Sequence, residues 1–154
     1  MDAQQQDDTL RELLERVAGA LGLDAQVEIA SDDETITGTL NGEDLGLFIG
    51  RHGSTIDAVQ HLAQRTLLAD PEAPRRRITV DAEGYRARRR EALEKQADQA
   101  ASEAERYGRP VALDSMTASE RKLVHEYLRE RGGVDTHSEG DEPERHLVVT
   151  PLSQ

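Results

Sequence analysis

The chain of 154 residues has no cysteine and no tryptophan, and only three tyrosines and one phenylalanine. Without thiols it can form neither disulfides nor thiolate metal sites, and a reducing cytoplasm is the compartment it suits. With so few aromatic rings, recognition by ring stacking has little to work with. No stretch approaches the roughly 18 to 20 apolar residues of a membrane span. The start, Met1-Asp2-Ala3-Gln4-Gln5-Gln6, has neither the basic region nor the apolar run of a secretion signal. A cytoplasmic location is expected. Positive charge is scarce too: 19 Lys and Arg face 31 Asp and Glu, for a net charge of −12. That balance excludes indiscriminate attraction to polyanions.

The charge is unevenly spread. Residues 1–49 hold 12 acids and 2 bases, residues 50–131 hold 14 acids and 16 bases, and residues 132–154 hold 5 acids and 1 base. Any anion site must therefore be built by local geometry in the near-neutral middle. Hydrophobic residues make up 36% of the chain, enough for one ordinary domain or two small ones.

Periodicity predicts mixed helix and strand. Leu10, Leu13, Leu14, Val17 and Leu21 give Thr9–Leu21 a helical stripe, with a disordered glutamine-rich start ahead of it. Gln26–Ala30 and Thr35–Leu40 read as strands, followed by a short helix over Asp44–Ile49. Past a glycine turn, Ile56, Val59, Leu62, Ala63 and Leu67 form the stripe of a longer helix, and Arg76, Ile78 and Val80 alternate as a strand. A second unit opens near Gly84. Tyr85–Tyr107 is a helix with a mostly alanine stripe (Leu93, Ala97, Ala100, Ala101, Ala104), and Val111–Leu113 a short strand. Ser115–Arg131 contains a helix capped by Ser115 or Thr117 and stopped at Gly132-Gly133. Val134–Thr136 and His146–Thr150 form a hairpin around an exposed Ser138–Arg145 loop, and the last few residues are expected to be disordered.

Two segments carry chemistry. Gly50-Arg51-His52-Gly53 is a glycine-framed turn running into a helix at Ser54. Glycines admit positive φ and close approach of a ligand, and the first turn of the following helix offers N–H groups and the positive end of its dipole. Arg51 adds a permanent charge and His52 a ring donor. The combination suits a sugar–phosphate backbone, with bases lying along an apolar groove beside Leu47, Ile49 and Ile56. The other G-x-x-G of the chain, Gly19–Gly22, is uncharged and reads as a helix end.

The second segment is Arg121-Lys122-Leu123-Val124-His125. On a helical wheel with Arg121 at 0°, His125 falls at about 40°, Arg129 at about 80° and Lys122 at about 100°. Leu123, Val124, Tyr127 and Leu128 fill the opposite side, so the helix has a core face and a basic face.

These residues in their settings resemble known families. The glycine turn between two helices, after two strands, resembles a type II KH domain, which implies a groove for four nucleotides. Arg121-x-x-x-His125, with Met116 before it and Val134-Asp135-Thr136-His137-Ser138-Glu139-Gly140, Pro143 and Arg145 after it, resembles the R-three-H domain. The junction Asp81-Ala82-Glu83-Gly84-Tyr85-Arg86-Ala87-Arg88-Arg89-Arg90-Glu91-Ala92-Leu93 resembles the inter-domain linkage of the bacterial Jag (KhpB, EloR) family, without counterpart to the extra N-terminal domain of many Jag proteins. The resemblance implies an α+β chain: a type II KH domain (α-β-β-α-α-β) at 9–83 and a small α/β R-three-H domain at 84–154. It implies an RNA-binding regulator with a role in cell envelope growth or division. The expected contacts to a single strand, RNA before DNA, are Gly50, Arg51, His52, Gly53 and Ser54 in one site. In the other they are Arg121, Lys122 and His125, supplemented by Thr136, Ser138 and Arg145.

The sequence leaves three further readings open. Arg86, Arg88, Arg89 and Arg90 either pair with Glu83, Glu91 or Glu94 or form a basic bridge for the strand. His137, Glu139, Asp141 and His146 would have to hold a metal if the chain were a hydrolase, but ligand spacing such as H-E-x-x-H and a Walker lysine are missing. The expectation is therefore no enzyme, no cofactor and no metal. Finally, the acidic segment 1–49 would serve an adaptor, and the resemblance admits a second KH-domain protein as partner.

Overall fold

The computed structural model describes residues 1–152. Along them run α1 (Ala3–Ala20), β1 (Ala25–Ser31), β2 (Thr35–Gly42), α2 (Gly46–Ile49), a 3-10 turn (Arg51–Gly53), α3 (Ser54–Leu67), β3 (Arg77–Ala82), α4 (Tyr85–Tyr107), β4 (Val111–Ala112), α5 (Ala118–Arg131), β5 (Val134–Glu139) and β6 (His146–Pro151). The chain divides into two compact units, Met1–Arg86 and Ala87 onward.

In the first unit β2 lies between β1, its antiparallel neighbour, and β3, its parallel one. Alternation puts Ile36 and Leu40 of β2 and Ile78, Val80 and Ala82 of β3 on one face. Leu10 and Leu14 of α1, Phe48 of α2 and Ile56, Val59, Ala63 and Leu67 of α3 cover that face. The order α-β-β-α-α-β is the one expected. Two expectations fail. The glutamine-rich start is helical, because Asp2 and Gln5 form a reciprocal capping box and Gln6 is fully buried. Leu62, assigned to the buried stripe of α3, is 49% exposed. The expectation for the chain end falls partly on residues 153–154, outside the described residues; Pro151 belongs to β6.

Gln6 ties the unit together. Its Nε2 donates to the Leu67 and Pro74 carbonyls at 3.1 and 3.0 Å, and its Oε1 accepts from Arg76 Nε at 3.0 Å. Arg76, 4% exposed, also donates to the Ala3 carbonyl, the Asp32 carbonyl and Asp7 Oδ1. One buried guanidinium thus joins the start of α1, the β1–β2 turn and the entry to β3. Asp32 shapes that turn by accepting the Glu34 and Thr35 amides, which holds its carboxyl below the usual range.

In the second unit β6 is central, antiparallel to both β4 and β5. The alanine stripe of α4 lies in the core with Met116, Val124, Leu128, Val134, Leu147 and Val149. Small side chains let α4 pack closely there. Helix α5 starts at Ala118, because Thr117 and Glu120 close a capping box.

Candidate nucleic-acid interface

The glycine turn begins at Gly50, whose N–H closes α2 on the Gly46 carbonyl at 2.8 Å. The backbone then turns left-handed at Gly50 (φ 73), His52 (φ 54) and Gly53 (φ 79) before α3 starts. Such angles are costly for residues with a Cβ. The space each glycine leaves is taken by the protein itself. A Cβ on Gly50 would meet Thr55 N at 2.8 Å, and one on Gly53 would meet the Tyr85 hydroxyl at 2.9 Å. The glycines therefore serve backbone shape and internal packing.

What faces solvent is Arg51, Ser54 and the head of α3, where no side chain caps the helix. Arg51 forms no ion pair among the described residues. Of the three residues expected to line an apolar groove, Leu47 is 65% exposed and Ile49 half-buried, but Ile56 is wholly in the core and cannot touch a base.

The second site is more fully built. All six residues singled out there, Arg121, Lys122, His125, Thr136, Ser138 and Arg145, line one open pocket of about 420 Å³. Residues 121, 122 and 125 come from one side of α5, 136 and 138 from alternate positions of β5, and 145 from the loop before β6. His137, Ala118 and Leu147 complete the wall. His137 is both part of the segment that resembles the R-three-H domain and a candidate metal ligand by sequence. It bonds Glu139 at 2.8 Å, and no three ligating side chains converge among the described residues.

Within this pocket the side chains differ in availability. His125 Nδ1 shares a hydrogen bond with Thr136 Oγ1, which fixes the ring and leaves Nε2 for another partner. Lys122 is exposed, Arg145 half-exposed, and neither forms an ion pair among the described residues. Arg121 is different. It is buried, donating to the Met116 carbonyl at 2.6 Å and to Glu142 Oε1 at 2.7 Å. The wheel placed it on the basic face without showing that a carboxylate from the β5–β6 loop reaches it.

Arginines near the junction are held by carboxylates. Arg86 pairs with Asp57 at 2.9 Å, Arg89 with Glu120 at 2.6 Å and Arg90 with Glu94 at 3.2 Å. Of these partners only Glu94 is among those the sequence suggests. Of the aromatics, Phe48 is buried, Tyr85 packs on Gly53 and Tyr127 donates to Asp98 at 2.8 Å. Tyr107 is 56% exposed and lies between Arg106 and Arg109. No helix among the described residues is long and apolar enough to cross a membrane.

Comparison with known proteins agrees with this division. Residues 8–80 match the family described as KhpA/KhpB, KH domain, and residues 91–151 match the R-three-H domain. The chain is 34% identical over 141 residues to RNA-binding protein KhpB of Clostridium symbiosum, covering 90% of this chain and 63% of that protein. It is 32% identical over 139 residues to the Bacillus subtilis protein of the same name (89% and 66% covered). Against that of Lactiplantibacillus plantarum it is 36% identical over 133 residues (86% and 41%). The chain thus spans between about two fifths and two thirds of the length of these relatives. The chain thus joins a KhpA/KhpB-type KH domain to an R-three-H domain in an α+β fold, and over most of its length it is similar to RNA-binding proteins named KhpB.

Proposed function

We propose that this protein binds single-stranded RNA in the cytoplasm by gripping its backbone at two places, with no reaction of its own. The domains are taken as 9–83 and 84–154. Gly50, Arg51, His52, Gly53 and Ser54 hold one stretch of phosphates. Lys122, His125, Thr136, Ser138 and Arg145, backed by Arg121, hold another. The observation that carries the reading is the pocket of the second unit, where lysine, arginine, imidazole and hydroxyl donors converge in a protein of net charge −12. Two weak sites on one chain reinforce each other through effective concentration. The Ser138 hydroxyl is suited to a ribose 2′-hydroxyl, which favours RNA over DNA. With Tyr107 as the one well-exposed ring among the described residues, base discrimination is modest.

The test is an amide-resonance titration with oligouridylate and oligothymidylate at low ionic strength. Residues 50–55 and the pocket residues are expected to shift, more strongly with the RNA. If neither group moves with either strand, the reading fails.

A second reading, pairing with another KH-domain protein, is favoured by Leu47 and Leu62, which stand 65% and 49% exposed. It is compatible with RNA binding.

A further inference from the structure

We infer that Arg121, the signature arginine of the second site, is a positioning residue that braces the loop presenting Arg145, and that Arg145 is the arginine contacting phosphate. This rests on the single-strand reading above and assigns roles within it.

Burial and bonding carry the argument. The Arg121 side chain is 10% exposed, while its partner Glu142 is 59% exposed. One end of the fork is fixed on the Met116 carbonyl just before α5, the other on Glu142 in the β5–β6 loop. Two parallel donors in a rigid plane suit a bridge between two chain segments, which a lysine point charge cannot reproduce. The loop is fastened at other points as well. The Met116 amide donates to the Arg145 carbonyl at 3.1 Å, the Glu144 amide to the Asp141 carbonyl at 2.9 Å, and Arg145 Nη1 to the Gly140 carbonyl at 2.6 Å. Arg121 and Met116 together therefore set where Arg145 stands.

As a direct ligand Arg121 would perform poorly. A phosphate approaching its Nη2 competes with Glu142 for that donor, exchanging one charge-assisted hydrogen bond for another of similar strength. The displaced carboxylate would then lie beside the incoming phosphate and repel it. Among the described residues Arg145 has no carboxylate competitor. It lines the same pocket as Lys122, His125 and Ser138, and its guanidinium spends one donor group on a loop carbonyl.

The signs of the expected effects separate brace from ligand. The probe is a short fluorescein-labelled oligouridylate, titrated into the full chain at several salt concentrations. For a brace, Glu142→Gln weakens binding, and Arg121→Lys weakens it as much as Arg121→Gln, because the fork is lost in both. Each loses about tenfold, as for one charged hydrogen bond, and each lowers the salt slope as Arg145→Gln does. Tighter binding by Glu142→Gln, or wild-type affinity in Arg121→Lys, overturns the inference. An RNA-free readout accompanies it: hydrogen exchange at the Met116 and Glu144 amides is expected to speed up in Glu142→Gln. That surface change leaves the core untouched, and unchanged exchange also overturns the brace. If the wild-type chain fails to bind the oligonucleotide while exchange still responds, the RNA reading has failed and the loop brace has not.

Discussion

Binding of a single strand is expected to weaken with salt at a logarithmic slope of about −2, a number that follows from which cations are free. Counting arginine and lysine alone, the two sites present Arg51, Lys122 and Arg145, because Arg121 is neutralised by Glu142. Each phosphate neutralised on a single strand contributes about −0.7 to the slope, so three give about −2. Raising salt from about 50 to about 200 mM then costs about 20-fold in affinity. Substituting any one of the three by glutamine removes about 0.7 from the slope, worth about 2.5-fold over the same range. Removing all three leaves binding nearly insensitive to salt. The assay is fluorescence anisotropy of labelled oligouridylate at four or more salt concentrations. A wild-type slope of about −5 or steeper would mean that the strand wraps surface well beyond the two sites, and the counting would be wrong. A slope unchanged in the triple variant would show that the phosphates lie elsewhere.

Two further outcomes follow from buried and paired groups. Gln6→Ala strands two backbone carbonyls and the Arg76 Nε donor in the core of the first unit. The expected loss is about 3 kcal/mol, read from urea unfolding followed by amide signals of that unit; a loss below about 1 kcal/mol would show that water replaces Gln6 at little cost. Tyr127 donates to Asp98, which raises its pKa above the ordinary value of 10.0. A raised folded pKa means that this contact stabilises fully below the unfolded pKa and is lost as pH rises through the folded one. Tyrosinate absorbance should therefore show one late ionisation that returns to the ordinary range in Asp98→Asn; an identical titration in the variant would refute the link.

Much of the molecule was legible from local pattern. Period-3.6 alanines marked the buried side of α4, and period-2 alternation marked Ile78 and Val80 as inward residues of β3, because burial imposes those spacings directly. The cap, narrowed to Ser115 or Thr117, and the turn at Gly50–Gly53 were readable for the same reason: each is a contact between near neighbours. The grouping of Arg121, Lys122, His125, Thr136, Ser138 and Arg145 was reached through resemblance, since no periodicity links α5 to residues 136–145.

What escaped is what depends on partners distant in the chain. Gln6 was read as part of a disordered start because its three bonds go to residues 67, 74 and 76. Leu62 fits the helical stripe of α3, yet whether its side of the helix meets a sheet or solvent is decided by how α3 lies on β3. Gly53 announced positive φ, whereas the Tyr85 hydroxyl filling the space beside it did not show in the turn itself. Arg121 looked like a free cation on a basic face until the loop across the pocket delivered Glu142 to it. Sequence alone thus determined the elements, their order and the two cationic segments, because these arise from interactions within a few residues. Only the tertiary structure decided which cations remain available, because a charge is spent or spared by whichever carboxylates and carbonyls the fold brings within about 3 Å of it.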